Sequence, residues 1–301
     1  MTHTPVITRI WLALLVAATL ALALVNLPYA PRTWFDEGSH LHVPKTLLAD
    51  GKYADKSATA DGGVEYRYHG PTIGIGPTIM LPVTLAFAVA GVDLLAARLV
   101  MVGYLLLALL AMFLLARRMY GTTAALLATT LLLASRTVSY EGAIEYGRQV
   151  LGEVPGTAFL LLGILAWAAA LRTDRGRSWP SALLAGLGFG MALITKNQFV
   201  LIVPAALFAA ALLDWRYYRV GNWVVRIVPL VVACSCFVIW QLIQYQFLGP
   251  GTFSENLAQT RQAAGGAIFV FNPRSTLRAG YYILRPDLLG GLVVPALAYA
   301  T

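Results

Sequence analysis

Charge is scarce in this chain: Asp, Glu, Lys and Arg make up 12% of its 301 residues. A soluble domain carries about twice that share, so a water-soluble globular enzyme is excluded. Cysteine is nearly absent as well. The two present, Cys234 and Cys236, lie two apart in an apolar stretch, where a helix turns their side chains away from each other. Neither a disulfide nor a metal site is natural there, and redox compartment cannot be read from them. Alternation of apolar and polar residues is also missing, which excludes an outer-membrane barrel. Little of the chain is left for a soluble domain. The net charge of +8 therefore suits anionic lipid headgroups and membrane orientation, and nucleic acid is a poor partner.

What the chain has instead is 58% hydrophobic residues and a mean hydropathy of +0.70, the balance of a protein whose main solvent is hydrocarbon. A helix rises 1.5 Å per residue, so about 20 apolar residues cross a bilayer core of about 30 Å. Leu- and Ala-rich runs joined by short polar segments predict an all-α polytopic transmembrane bundle. The expected spans are Ile10 to Leu27, Leu94 to Ala116, Thr122 to Ala134, Pro155 to Leu171, Ser181 to Thr195, Phe199 to Leu213 and Val224 to Phe247. A further one starts near Leu288 and stops at Thr301 before it is complete, so residues 1–301 read as a single membrane domain that is C-terminally incomplete. Arg9 before an apolar core also fits a secretory signal. The core of that run is long for one, and an uncleaved anchor is the reading kept.

The stretch Ile73 to Val92 carries Gly74, Gly76, Pro77 and Pro82, which break or kink a spanning helix. Orientation decides its status. Arg9, the pair Arg117 and Arg118, the cluster Arg172, Arg175 and Arg177, and the cluster Arg216, Arg219 and Arg226 all fall on one side only if this stretch does not cross. It is therefore expected to be re-entrant or interfacial. Residues 28–92, 137–154 and 249–284 then form three loops on the outer side.

Those loops hold the candidate chemistry. In TWFDEGSH, Asp36 and Glu37 open a predicted helix that includes His40 and His42; acids there suit the positive helix end, and the bland reading is that they do nothing more. Glu37 and His40 at i, i+3 could contribute to a metal site, but no zinc signature is complete. In RYHGPTIG, Arg67 and His69 could hold a phosphate, or His69-Gly70-Pro71 could be only a turn. In SYEGAIEYGRQVLGEVPG, Glu141 and Glu145 lie one helical turn apart. Glu145 and Arg148 could simply pair on a solvated face, whereas Glu153 beside Pro155 sits at the membrane boundary, where a carboxylate needs a cation or a substrate. Lys196 in ALITKNQF runs against the orientation rule, so it is either held for an anion or snorkels to the interface. Arg261, Arg274 and Arg278 add positive charge to the late loop.

The order of these parts carries a resemblance. An apolar anchor, an Asp-Glu pair, a Pro-bearing helix, GVDLLAARL, ARRMYG, a Tyr-x-Arg and acid-x-Pro loop, and LGFGMALITKNQF together resemble the N-terminal module of GT-C glycosyltransferases. The protein O-mannosyltransferases and the bacterial aminoarabinose transferases of lipid A are the most similar groups. The resemblance covers nearly the whole chain. It implies a multi-pass enzyme of the bacterial plasma membrane that moves a sugar, with inversion, from a polyprenyl-phosphate carrier to a lipid, glycan or protein acceptor on the outer face. It further implies that Asp36 is the catalytic aspartate, that Glu37 and Glu153 complete the catalytic acids, and that Arg148 and Lys196 bind the donor phosphate; the chemistry of phosphate departure adds His69 to those two. No cofactor follows with certainty, although a divalent cation would be compatible with the acids. Where that family has Lys-Pro-Pro, this chain has His69-Gly70-Pro71. A rival reading is a transporter of a lipid carrier or solute, with the same charges lining a path; no inverted repeat is visible in support of it.

Overall fold

The computed structural model describes residues 6–33, 35–68, 75–134, 142–172, 178–196, 198–200, 202–204, 207–208, 215 and 223–258. His69, Glu141, Arg261, Arg274, Arg278 and the stretch from Leu288 lie outside the described residues.

The first apolar run forms α1 (Val6–Leu24). It ends three residues short of the expected Leu27, because Asn26 takes a φ of 52°, a backbone region that Asn tolerates better than most residues. The chain then turns, with the Ala30 N–H donating to the Asn26 carbonyl at 2.8 Å. Beyond the turn comes α2 (Phe35–Asp50), which opens on Asp36 and Glu37. A two-stranded hairpin follows, β1 (Asp55–Ala58) and β2 (Val64–Arg67), paired antiparallel. The helical reading of the loop missed this hairpin. Its signal was Asp61-Gly62, with Gly62 at φ 83°, a turn pair that favours hairpins.

Helix α3 (Pro77–Ala90) begins with Pro at its first position and ends at Gly91, as the asymmetry of helix ends favours. At 14 residues it is about 21 Å long, short of a bilayer core. It folds back beside the start of α4 (Leu94–Tyr120). Tyr104 donates to the Thr78 carbonyl, while Ile79, Met80, Val83 and Phe87 pack with Ala96, Ala97 and Met101. Only the first part of α4 is covered this way. Gly121, at φ 89°, then turns the chain into α5 (Thr122–Ala134).

A short helix, α6 (Ala143–Arg148), leads into α7 (Glu153–Arg172), which carries an acid in its first turn and a base in its last, the arrangement the helix dipole favours. Helix α8 (Trp179–Leu193) runs back along it. Residues 199–200, 202–204 and 207–208 are helical, consistent with the expected span there, and α9 (Trp223–Leu248) packs on α7 and α8. In the expected late loop, residues 250–258 are helical.

Two ends of the bundle differ in charge. Arg118 donates to the Ala168 carbonyl at 3.0 Å and Trp167 to the Val225 carbonyl at 3.0 Å. The C-terminal ends of α4 and α7 and the start of α9 thus lie together, with Arg117, Arg118, Arg172 and Arg226. The starts of α2, α4 and α7 and the ends of α1 and α8 gather at the opposite end, with the acids. Helices α1, α4, α7 and α9 are long and apolar enough to cross a membrane. They leave Leu14, Leu22, Leu110, Leu230 and Leu242 exposed, as lipid-facing helices do. The chain is an integral membrane protein with an all-α polytopic bundle.

Candidate active site at the acidic end of the bundle

Glu37 and Arg98 are both fully buried, and an unpaired charge there would be severely penalised. They are paired by two bonds, Nε to Oε1 at 2.9 Å and a guanidinium NH2 to Oε2 at 2.6 Å. Arg98 also donates to the Leu27 and Pro31 carbonyls, each at 2.8 Å. Oε1 of Glu37 also accepts the Val150 N–H at 3.2 Å. One buried ion pair therefore ties the exit of α1, the start of α2, α4 and the turn before α7 into a single wall.

Asp36 is one residue away yet differently placed. It is half-buried, and among the described residues it makes no hydrogen bond or ion pair. His40 stands one turn further along α2, buried, with Nδ1 at 2.7 Å from the Val150 carbonyl. Burial holds its pKa below the ordinary value; the Val150 bond and the charges of Asp36 and Glu153 oppose that shift, and the charge of Lys196 adds to it. Asp36, Glu153 and Lys196 thus all act on one imidazole through their charge.

Glu153 and Lys196 form an ion pair, with side chains 46% and 19% exposed. This pair is thus open to the outside, unlike Glu37 and Arg98. Among the described residues, Oε2 of Glu153 is enclosed without a partner. Two glycines allow the pair to form. A Cβ on Gly152 would stand 2.6 Å from Cδ of Lys196, and a Cβ on Gly76 would stand 1.6 Å from the Ile194 carbonyl oxygen. At Gly76 the chain bonds directly to the lysine turn, its N–H donating to the Thr195 carbonyl at 2.7 Å, while Ile75 bridges to Lys196.

Arg148 is buried, with 7% of its surface exposed. It donates to the Val25 carbonyl, its Nε meets no partner among the described residues, and burial together with the charge of Arg98 lowers its pKa. Arg98 has its carboxylate; Arg148 is a second buried cation with a donor unspent.

The structure brings the start of α2, with Asp36 and His40, against the turn that leads into Glu153 and its partner Lys196, and joins Glu37 and Arg148 to the same wall through Arg98 and the 148–150 turn. His69 falls outside the described residues. Two participants were not in the expected set. Arg98, a lone cation inside an apolar helix, signalled a buried partner. In the sequence His40 reads only as a candidate metal ligand. Among the described residues no three His, Cys, Asp or Glu side chains gather as a metal group. Glu37, with both oxygens committed to Arg98 and the Val150 N–H, does not suit a bound cation.

This arrangement of helices with a mixed-charge site at one end is the GT-C glycosyltransferase fold. Residues 76–245 match the family model of dolichyl-phosphate-mannose-protein mannosyltransferases, over half of the chain, and the chain belongs to that family. The crystal structure of ArnT from Cupriavidus metallidurans bound to undecaprenyl phosphate superposes with a TM-score of 0.60 at 18% identity, covering 81% of this chain and 43% of that one. The Archaeoglobus fulgidus oligosaccharyltransferase in the apo form gives a TM-score of 0.51 at 16% identity, covering 88% and 38%. The chain thus spans less than half the length of either solved relative. Comparison with curated proteins gives no match.

Proposed function

We propose that this protein transfers a hexose or pentose from a polyprenyl-phosphate carrier to a lipid, glycan or protein acceptor, with inversion, at the outer face of a bacterial plasma membrane. The observation that carries the reading is the joining of α2 to the Glu153–Lys196 pair at one end of the bundle: His40, one turn beyond the free carboxylate Asp36, bonds the Val150 carbonyl three residues before Glu153. Family membership supports it, as does the ArnT relative, whose structure holds undecaprenyl phosphate. Segregation of Arg117, Arg118, Arg172 and Arg226 to the other end supports an outward-facing site, because basic residues favour the cytoplasmic side.

Asp36 takes the proton of the acceptor hydroxyl as its oxygen attacks the anomeric carbon from the side opposite the carrier. The bond from that carbon to the phosphate oxygen breaks, and its electron pair leaves with the phosphate. A phosphate is already a good leaving group, so the site needs cations more than a strong acid. Lys196 and Arg148 supply them, the guanidinium by its planar donor fork. Glu153 holds Lys196 between turnovers, and Glu37 fixes the wall on which Asp36 stands.

The test uses the purified chain in proteoliposomes with a panel of undecaprenyl-phosphate hexoses and pentoses. Release of undecaprenyl phosphate is expected with one or more donors. Asp36→Asn should abolish that release while the protein stays inserted. Normal turnover by this variant would reject the assignment, and sugar flux without bond cleavage would point to transport.

A further inference from the structure

Asp36 and His40 lie four residues apart on α2, and such neighbours on a helix have Cβ atoms about 5–6 Å apart. The Val150 carbonyl can only accept, so the hydrogen of the 2.7 Å bond belongs to Nδ1 of His40. In the neutral ring that leaves Nε2 as a bare lone pair. Nothing among the described residues meets it. The ring is buried and its orientation is pinned from α2 to the turn before α7. A locked tautomer with its accepting nitrogen unspent, beside a carboxylate that is itself unpaired, is an arrangement for receiving a proton.

We propose that His40 stores the proton of the transfer reaction: Asp36 passes to Nε2 of His40 the proton it has taken from the acceptor hydroxyl, and so regains its negative charge before the next turnover. This inference rests on the transferase reading above. The Oδ–H bond of Asp36 breaks, the Nε2–H bond of His40 forms, and the proton then leaves His40 to bulk water. No redox partner is required.

The charged groups facing the ring fit the two states it must adopt. From its own helix comes Asp36, from α7 Glu153, and from the turn after α8 Lys196. Glu37 also reaches the Val150 segment, but Arg98 takes up its charge. At rest, burial and Lys196 favour the neutral ring, ready to accept. As the carrier phosphate departs, its negative charge offsets Lys196. Glu153 then prevails, and Asp36 joins it once it has given up the proton, so His40 holds the proton as an imidazolium between two carboxylate charges. His40 is a positioning residue with respect to the sugar and acts on the reaction through Asp36.

His40→Asn keeps an amide donor for the Val150 carbonyl but cannot hold a proton. In the proteoliposome assay its kcat should fall by about 100-fold, within the usual range for a lost proton acceptor, while KM for the undecaprenyl-phosphate sugar is unchanged. The acidic limb of the kcat/KM profile that follows His40 should vanish. A second measurement needs no turnover: histidine NMR of the full chain in nanodiscs should find the Nδ1–H tautomer. It should also show His40 titrating lower in Asp36→Asn and higher in Lys196→Met. An unchanged pH profile in His40→Asn, an Nε2–H tautomer, or a His40 titration indifferent to Asp36 overturns the relay alone. A wild-type chain that releases no carrier phosphate from any donor overturns the transferase reading, and the relay with it.

Discussion

At the scale of single residues, two neighbours in sequence have separate fates. Successive residues on a helix stand about 100° apart, so Glu37 faces Arg98 and the buried wall while Asp36 does not. Breaking a buried pair from one side leaves a lone charge and costs about 3–5 kcal/mol. Arg98→Met and Glu37→Gln should each lower the melting temperature in detergent sharply. The double variant, which leaves no orphan charge, should recover much of the loss. Strict additivity of the two changes would refute the pairing. The sequence marked both acids as equals, because spacing alone does not reveal which face of α2 meets a partner. Arg98 was legible in principle: a cation in the middle of LLAARLV needs a carboxylate, and Glu37 was among the few available.

At the scale of elements, the long apolar runs were legible because about 20 apolar residues have few other uses. Runs beginning near Leu94, Thr122, Pro155, Ser181 and Val224 all became helices. The shortness of α3 was legible from Gly74, Gly76, Pro77 and Pro82. Its anchorage was not, since the contact between Gly76 and the Ile194 carbonyl joins residues more than a hundred apart. Composition cannot report such a contact. Gly76→Ala would push a methyl into that backbone oxygen, which lies 1.6 Å from the Cβ position. The expected cost is about 3 kcal/mol, the upper end for overpacking, seen as a lower melting temperature. The α3 start should separate from Thr195, exposing the Gly76 amide to faster hydrogen exchange. A variant as stable as the parent, with that amide still protected, would show that the close approach does not exist in solution.

At the scale of the whole molecule, the arrangement reduces to a bundle with an arginine-bearing end and an acid-bearing end. With Cys234 and Cys236 replaced by Ala, Asp36→Cys and Glu153→Cys should react with a membrane-impermeant maleimide from one side of sealed vesicles. Met119→Cys should react only from the other. Labelling of positions 36 and 153 from opposite sides would dissolve the site. The orientation rule gave this polarity from arginine counts alone, whereas the wall behind the site depended on side-chain pairing that no count contains. The half-open pairing of Glu153 with Lys196 has one more consequence. Under the proposed transferase reading, a lysine that always has a carboxylate to return to would not cling to a spent carrier: the same contact that makes the incoming phosphate compete for its place would also evict it afterwards, trading tightness of capture for speed of discharge.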